Sequence, residues 1–132
     1  EEVSIFQKHA PIPREEVNEV SHQILMKVVP GLLKKDLICF GEGIKRIQNI
    51  GFKKIEISLQ HEVVKNLLNL LNEYGVKAYG MSSFGPSVVG ITESNQEAAE
   101  LFDKSKTGTF ISLSAIITSG SFSSVTFFDV AM

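Results

Sequence analysis

An α+β sandwich, with helices on one side of a largely antiparallel sheet, is the fold this sequence predicts. Two observations carry that prediction. Residues 14–74 are dominated by apolar positions at three- and four-residue steps, the period of a helix face. Residues 76–130 hold short apolar runs broken by glycine and serine, with a single helical stretch among them.

In chain order, Val3–Phe6 reads as a short extended or turn segment, and Pro11 and Pro13 make the next stretch stiff and non-helical. A helix is expected from about Arg14 to Val29, with Val17, Val20, Ile24, Leu25 and Val28 on one face and Glu15 and Glu16 in its first turn. Pro30-Gly31 should break or kink it. Asp36 is a good N-cap for a second helix, Leu37 to Ile50, buried through Leu37, Phe40, Ile44 and Ile47. Gly41 and Gly43 lower its helicity and leave room for a close neighbour, while Gly51 suits its end. Phe52 to Gln60 is ambiguous: Ile55, Ile57 and Leu59 alternate as in a half-buried strand, or the run is an irregular connector. His61 to Tyr74 is the clearest helix, with Val64, Leu67, Leu68 and Leu71 as its stripe. Strands are expected at 76–81, 87–92, 109–117 and 122–130, with a helix at 95–104 and a turn at Thr118-Ser119-Gly120-Ser121.

The chain has 132 residues, the size of one ordinary domain, and at 43% hydrophobic it can build a true core. Its 13 basic and 15 acidic residues give a charge of -2, which argues against general nucleic-acid binding. No apolar run approaches the roughly 18 residues of a membrane helix, and no signal peptide opens the chain. One cysteine makes no intrachain disulfide, and a reducing cytoplasm is the simplest setting. The opening Glu-Glu-Val-Ser-Ile-Phe, without Met, fits a processed start or a piece of something longer.

The most informative stretch is Tyr79-Gly80-Met81-Ser82-Ser83-Phe84-Gly85-Pro86-Ser87. It reads as strand, tight loop, strand. Glycines and small side chains let a ligand approach the main chain, and consecutive N–H groups in a turn can form an anion-binding nest. A plain hairpin turn explains the same residues equally well. The run is neither a phosphate-binding P-loop nor a dinucleotide fingerprint, and no lysine lies inside it. Phe84 either stacks on a ring or plugs the base of the loop.

Other chemistry-bearing residues are scattered. His9, His22 and His61 have no metal-ligand spacing, so no metal site is expected. Cys39 reads as a small filler. Glu15, Glu16 and Glu19, and later Glu97, Glu100 and Asp103, read as solvated helix faces. The pairs Lys34-Lys35 and Lys53-Lys54 read as surface charge. Lys45 and Arg46, near Gln48-Asn49, form a polar rim that can face a substrate. Met26 and Met81 read as packing, and Phe110, Phe122, Phe127 and Phe128 as sheet core or interface.

The run from Gly80 to Val88 resembles the Ser-Ser-Trp-Gly-Pro-Thr loop of archaeal β-ribofuranosylaminobenzene 5′-phosphate synthases, members of the GHMP kinase superfamily by fold. Leu25-Met26-Lys27-Val28-Val29-Pro30-Gly31-Leu32, Asp36-Leu37, Phe40-Gly41 and Ile47-Gln48 match in character too. The resemblance covers about residues 1–120 and is densest at 22–50 and 75–92. It implies a ferredoxin-like two-layer sandwich with extra helices, with residues 1–132 forming the C-terminal domain of a larger two-domain enzyme. The superfamily's main ATP-binding loop, Pro-x-x-x-Gly-Leu-Gly/Ser-Ser-Ser, belongs to the N-terminal domain and has no counterpart here; residues 80–87 correspond to its third motif, a turn near the phosphates.

The implied reaction joins phosphoribosyl pyrophosphate to an aminobenzoate or hydroxybenzoate, releasing carbon dioxide and pyrophosphate on the way to methanopterin. Ser82, Ser83 and Gly85 are then expected to contact phosphate, with Gly80 and Phe84 completing the site and no residue here assigned as a general base. The fragment alone should be inactive and needs its N-terminal domain; it carries no cofactor of its own, though Mg2+ can accompany the pyrophosphate, and a homodimer is compatible. Phe84 stands where the family has Trp, and Ser87 where it has Thr. The rival expectations are a small-molecule kinase domain using ATP and a non-catalytic structural or regulatory domain.

Overall fold

A computed structural model describes residues 2–105, 117–119 and 122–127. The chain opens with a helix, α1 (Glu2–His9), where an extended segment was expected. The reason is tertiary: Phe6 meets Phe52 edge-on at 4.7 Å, so a short helix gains an aromatic partner that local sequence does not reveal.

The next helix does not stop at Pro30. α2 (Arg14–Gln23) passes through a π-helical turn at Ile24–Val28 into α3 (Val29–Lys34). Proline lacks an N–H, and its ring displaces the carbonyl four residues back. The wider turn absorbs this, and the Val29 N–H donates to the Ile24 carbonyl, five residues back. The inserted residue rotates the stripe out of phase. Leu25 is 66% and Met26 59% exposed, against the expectation that both are packed. The helix ends at Lys35, which adopts a left-handed φ of 57°.

Asp36 caps α4 (Leu37–Ile47) by accepting the Cys39 N–H at 3.0 Å, as expected. The ambiguous segment, Phe52–Gln60, is mostly helix: α5 (Gly51–Ser58). Its alternating Ile55, Ile57 and Leu59 coexist with Phe52, Ile55 and Leu59 at helical spacing, and the aromatic contact to α1 decides between the two periods. α6 (Glu62–Glu73) comes next, then β1 (Ala78–Met81), β2 (Val88–Thr92) and α7 (Asn95–Ser105). β3 (Ile117–Ser119) takes in Thr118 and Ser119, which were expected to turn; β4 spans Phe122–Phe127, and residues 128–130 of its expected range lie outside the described residues. The rest of the predicted 109–117 strand, with Phe110 and Phe128, lies outside the described residues.

The strands form one antiparallel sheet in the order β1-β2-β4-β3. The core lies between α6, α7 and one face of β1 and β2: Val64, Leu67 and Leu71, Met81 and Val88, Ala98 and Leu101. This is the expected α+β two-layer arrangement, with additional helices around it. No helix among the described residues is long and apolar enough to cross a membrane.

α4 covers β1, the edge strand, and the contact is close enough to require glycine. A Cβ on Gly41 would lie 1.9 Å from the Lys77 carbonyl oxygen. The helix faces beside it are tied by charge. The Glu16 carboxylate accepts the Gly51 N–H at 2.7 Å, and Glu19 pairs with Arg46 at 3.1 Å, so neither acid belongs to a merely solvated face.

The packing has two measurable consequences. Gly41→Ala should lower unfolding stability by about 2 kcal/mol or more, because backbone must move to admit the methyl; urea denaturation measures it, and a change within about 0.5 kcal/mol contradicts the contact. The hydrogen bond from Arg46 holds the Glu19 carboxyl below its ordinary range. A lowered folded-state pKa stabilises above the unfolded value and loses that contribution as pH falls through the folded one. Stability should therefore drop on acidification less steeply in Glu19→Gln than in the parent protein, as read by melting temperature against pH.

Candidate functional site

The predicted loop is the connection between β1 and β2, with Met81 opposite Val88. Residues Ser82 to Ser87 close it. The Ser82 N–H donates to the Ser87 carbonyl at 2.8 Å, and the Gly85 N–H to the Ser82 carbonyl at 2.9 Å. Ser83 takes a φ of 45° and Gly85 one of 88°. The left-handed region suits glycine; a serine there is held by its surroundings.

Those surroundings come from α5 and from Gln60, two residues beyond its end. The Lys53 ammonium donates to the Ser83 carbonyl, and the Gln60 side-chain amide donates to the Phe84 carbonyl at 2.7 Å. Lys53 also pairs with Glu56 at 2.6 Å, and both side chains are largely buried. The orientation of the turn's N–H groups is set by peptide planarity, since in a trans unit the N–H points opposite the preceding C=O. With the Ser83 carbonyl turned to Lys53, the Phe84 N–H points away from α5. With the Ser82 carbonyl turned to Gly85, the Ser83 N–H points away from the closed ring of the turn. Neither of these N–H groups, nor the exposed Ser82 and Ser83 hydroxyls, has a partner among the described residues.

Gly80 and Phe84 serve the frame. Gly80 is paired with Val89 inside β1, and a Cβ there would lie 2.8 Å from the Gln48 side chain. That side chain accepts the Met81 N–H at 2.8 Å and so closes the exposed edge of β1. The half-buried Phe84 ring lies 6.4 Å from Phe6, which in turn meets Phe52. Of the two roles open to it, this is the plug.

Beside the turn lies a mainly apolar cavity of about 220 Å³, bordered by Phe40, Ile44, Val89 and Ile91 and reaching Gly80 and Ser82. Across Gln48, a second cavity of about 340 Å³ is lined by Lys45, Asn49, Lys65, Asn69 and Tyr79. The expected polar rim thus lines a cavity through Lys45, Gln48 and Asn49, whereas Arg46 is engaged with Glu19. His22 is exposed, and the Cys39 thiol donates to the Lys27 carbonyl at 3.6 Å.

Gln48, Lys53, Glu56 and Gln60 were not foreseen as parts of one site. Lys53 and Glu56 share a face of α5 at i, i+3, and Gln60 lies two residues beyond its end, an arrangement that is visible only once α5 is known to be a helix.

The sequence pattern of the family described as GHMP kinases C terminal matches residues 28–107. The chain belongs to the GHMP kinase C-terminal family. That match takes in α4 to α7, the hairpin, and the Gln48, Lys53, Glu56 and Gln60 side chains around its turn, while Phe6 lies before it. Among curated relatives, the β-ribofuranosylphenol 5′-phosphate synthase of Methanocaldococcus jannaschii is 43% identical over 106 residues, 78% of this chain and 32% of the relative. The synthase of the same name from Archaeoglobus fulgidus is 44% identical over 99 residues, 75% of this chain and 30% of the relative. The one from Methanothermobacter thermautotrophicus is 42% identical over 92 residues, 70% of this chain and 28% of the relative. The chain therefore spans about a third of the length of the relatives it matches.

Gln48 gives this GHMP kinase C-terminal domain a direct test of its frame. Gln48→Ala leaves the N–H of the buried Met81 without its acceptor and should cost about 1–3 kcal/mol in urea unfolding. A loss under about 0.5 kcal/mol would mean that water replaces the side chain at no cost.

Proposed function

We propose that this domain is the C-terminal part of a β-ribofuranosylphenol 5′-phosphate synthase, and that its 82–87 turn holds the diphosphate of phosphoribosyl pyrophosphate. The observation that carries the reading is the pair of main-chain N–H groups at Ser83 and Phe84, unpartnered among the described residues and turned away from their supports. Oriented donors of this kind stabilise charge as it gathers on a departing pyrophosphate, and they do so without reorganising. Ser82 and Ser83 add hydroxyl donors, and Gly85 closes the turn.

The acceptor is inferred from the product named for the relatives. A hydroxybenzoate that loses its carboxylate leaves a phenol, whereas an aminobenzoate leaves an aniline. The hydroxybenzoate is therefore the acceptor of choice. In the reaction the bond from the ribose anomeric carbon to pyrophosphate breaks, a carbon–carbon bond to the ring forms, and carbon dioxide departs. The apolar cavity beside Ser82 offers the ring a place between Phe40, Ile44, Val89 and Ile91. Phe84, packed toward Phe6, is not needed for that role.

Mg2+ would have to travel with the diphosphate. The turn has no carboxylate, and the nearest acid behind it, Glu56, is paired with Lys53, so this part of the chain offers no ligand set for a resident ion. Catalytic groups beyond substrate positioning are left to the rest of the polypeptide.

The test uses the complete polypeptide carrying this domain, with phosphoribosyl pyrophosphate and each benzoate in turn. Hydroxybenzoate should give pyrophosphate and carbon dioxide in equal amounts. Ser83→Ala and Ser82→Ala should each raise KM for phosphoribosyl pyrophosphate about three- to ten-fold, the effect of one lost hydrogen bond, with KM for the benzoate little changed. A requirement for ATP with phosphate transfer, in place of those products, would assign the domain to a kinase instead.

A further inference from the structure

The turn is neutral, yet the ligand proposed for it is a polyanion, and a lysine stands directly behind it. Lys53 is the obvious candidate to supply the missing charge, but the geometry speaks against that role. Its ammonium lies 2.6 Å from the Glu56 carboxylate, so the pair carries no net charge toward the turn. Glu56 is 9% exposed, and its paired oxygen has no hydrogen-bond partner among the described residues, which leaves the ion pair with Lys53 as that oxygen's compensation. Lys53 spends its remaining reach on the Ser83 carbonyl. Two residues beyond the end of α5, Gln60 holds the next carbonyl, Phe84, while also donating to the Glu56 carbonyl at 3.3 Å. A Cβ on Gly85 would lie 2.6 Å from the Gln60 side-chain oxygen, so the amide sits hard against the turn.

Two successive carbonyls are thus drawn toward α5 and the turn that follows it by two side chains separated by seven positions. The consequence for the opposite edge of each peptide is fixed by planarity. Turning the Ser83 carbonyl inward aims the Phe84 N–H outward. Turning the Phe84 carbonyl toward Gln60 directs the Gly85 N–H to its closing bond with Ser82. Without these supports Ser83 has no reason to keep its left-handed backbone, and the Phe84 N–H loses its outward orientation.

We propose that Lys53 and Gln60, with Glu56 fixing Lys53, are positioning residues that set the affinity of the 82–87 turn for a diphosphate without touching it. This rests on the turn being the diphosphate site and adds the device that makes it selective. Lys53 acts through a carbonyl and not as a phosphate ligand. Binding is therefore as sensitive to the neutral Gln60 as to the charged Lys53.

The experiment is calorimetric titration of the complete polypeptide with inorganic pyrophosphate, then the KM for phosphoribosyl pyrophosphate and for the benzoate. Gln60→Leu and Lys53→Met should each weaken pyrophosphate binding about ten-fold or more and raise the phosphoribosyl pyrophosphate KM in step. The benzoate KM should stay within about two-fold, a separation that general loss of structure would not give. Lys53→Arg should recover most of the affinity, since it keeps a donor for the carbonyl and a partner for Glu56. Should Gln60→Leu fail to fold, Gln60→Asn withdraws the donor by one methylene.

Unchanged binding in the Gln60 and Lys53 variants, with the parent protein binding pyrophosphate, overturns the inference and leaves the turn standing as the diphosphate site. Weakening in Lys53→Met alone also overturns it, because charge and not orientation would then govern. If the folded parent protein fails to bind pyrophosphate, the turn is not a diphosphate site and the inference falls with it.

Discussion

The edge of β1 is the constraint on which the site depends. An edge strand presents unpaired N–H and C=O groups, and this one is closed by a helix instead of a further strand. α4 comes so near that its residue 41 has no space for a side chain against Lys77 and Ala78. About two helical turns along, Gln48 reaches the same edge and takes the Met81 N–H. The strand is thereby held from outside by α4 and from below by the core contacts of Met81 with α6 and α7. Because β1 is fixed on both counts, the turn that leaves it begins from a defined position and direction.

From that position the turn is shaped by a division between carbonyls and amides. Two carbonyls point into the protein, where Lys53 and Gln60 receive them, and one more closes the ring at Gly85. Buried polar groups must be satisfied, and here the satisfaction of the acceptors decides where the donors go. The aromatic contacts of Phe6, Phe52 and Phe84 set the height of the turn above α1 and α5. Fold and site are linked through α5: the helix whose packing on α1 identifies it as a helix is also the one whose polar face holds the turn.

Legibility in the sequence tracks the range of the forces involved. Asp36, His61 and the apolar stripe of α6 are local signals, and they place their helices correctly. The Gly-Ser-Ser-Phe-Gly-Pro segment, with Met81 after its first glycine, announces a turn between strands, since backbone demands are written in glycine and proline. The failures are all cases where a distant partner or an irregular turn decides. Phe6 makes α1 a helix through Phe52. Pro30, a helix breaker by local rules, is carried through by the π turn just before it, which also moves Leu25 and Met26 into the open. Residues 52–60 carry strand and helix periods at once, and choosing wrongly hides Lys53, Glu56 and Gln60 from view as a set. Glu16 and Glu19 look like surface charge until their partners, Gly51 and Arg46, are brought across by the fold.

The proposed site, built on main-chain donors, has a particular electrostatic character. Lys53 and Glu56 cancel, the turn bears no charged side chain, and the whole chain carries a charge of only -2. Long-range attraction of an anion is therefore not what this surface supplies. Peptide dipoles fall off quickly and work best at contact, where water has been excluded and the dielectric is low. Discrimination in such a site comes from where each N–H points, because a misdirected donor is replaced by water at little cost, whereas a well-directed one is not. That logic places the chemical burden on rigidity, and rigidity here is distributed: Gly41 and Gln48 hold the strand, Phe6, backed by Phe52, meets the ring of Phe84, and Lys53 and Gln60 hold the carbonyls. In the proposed diphosphate site, residues that never meet the ligand are in this way as decisive for its recognition as the serines beside it.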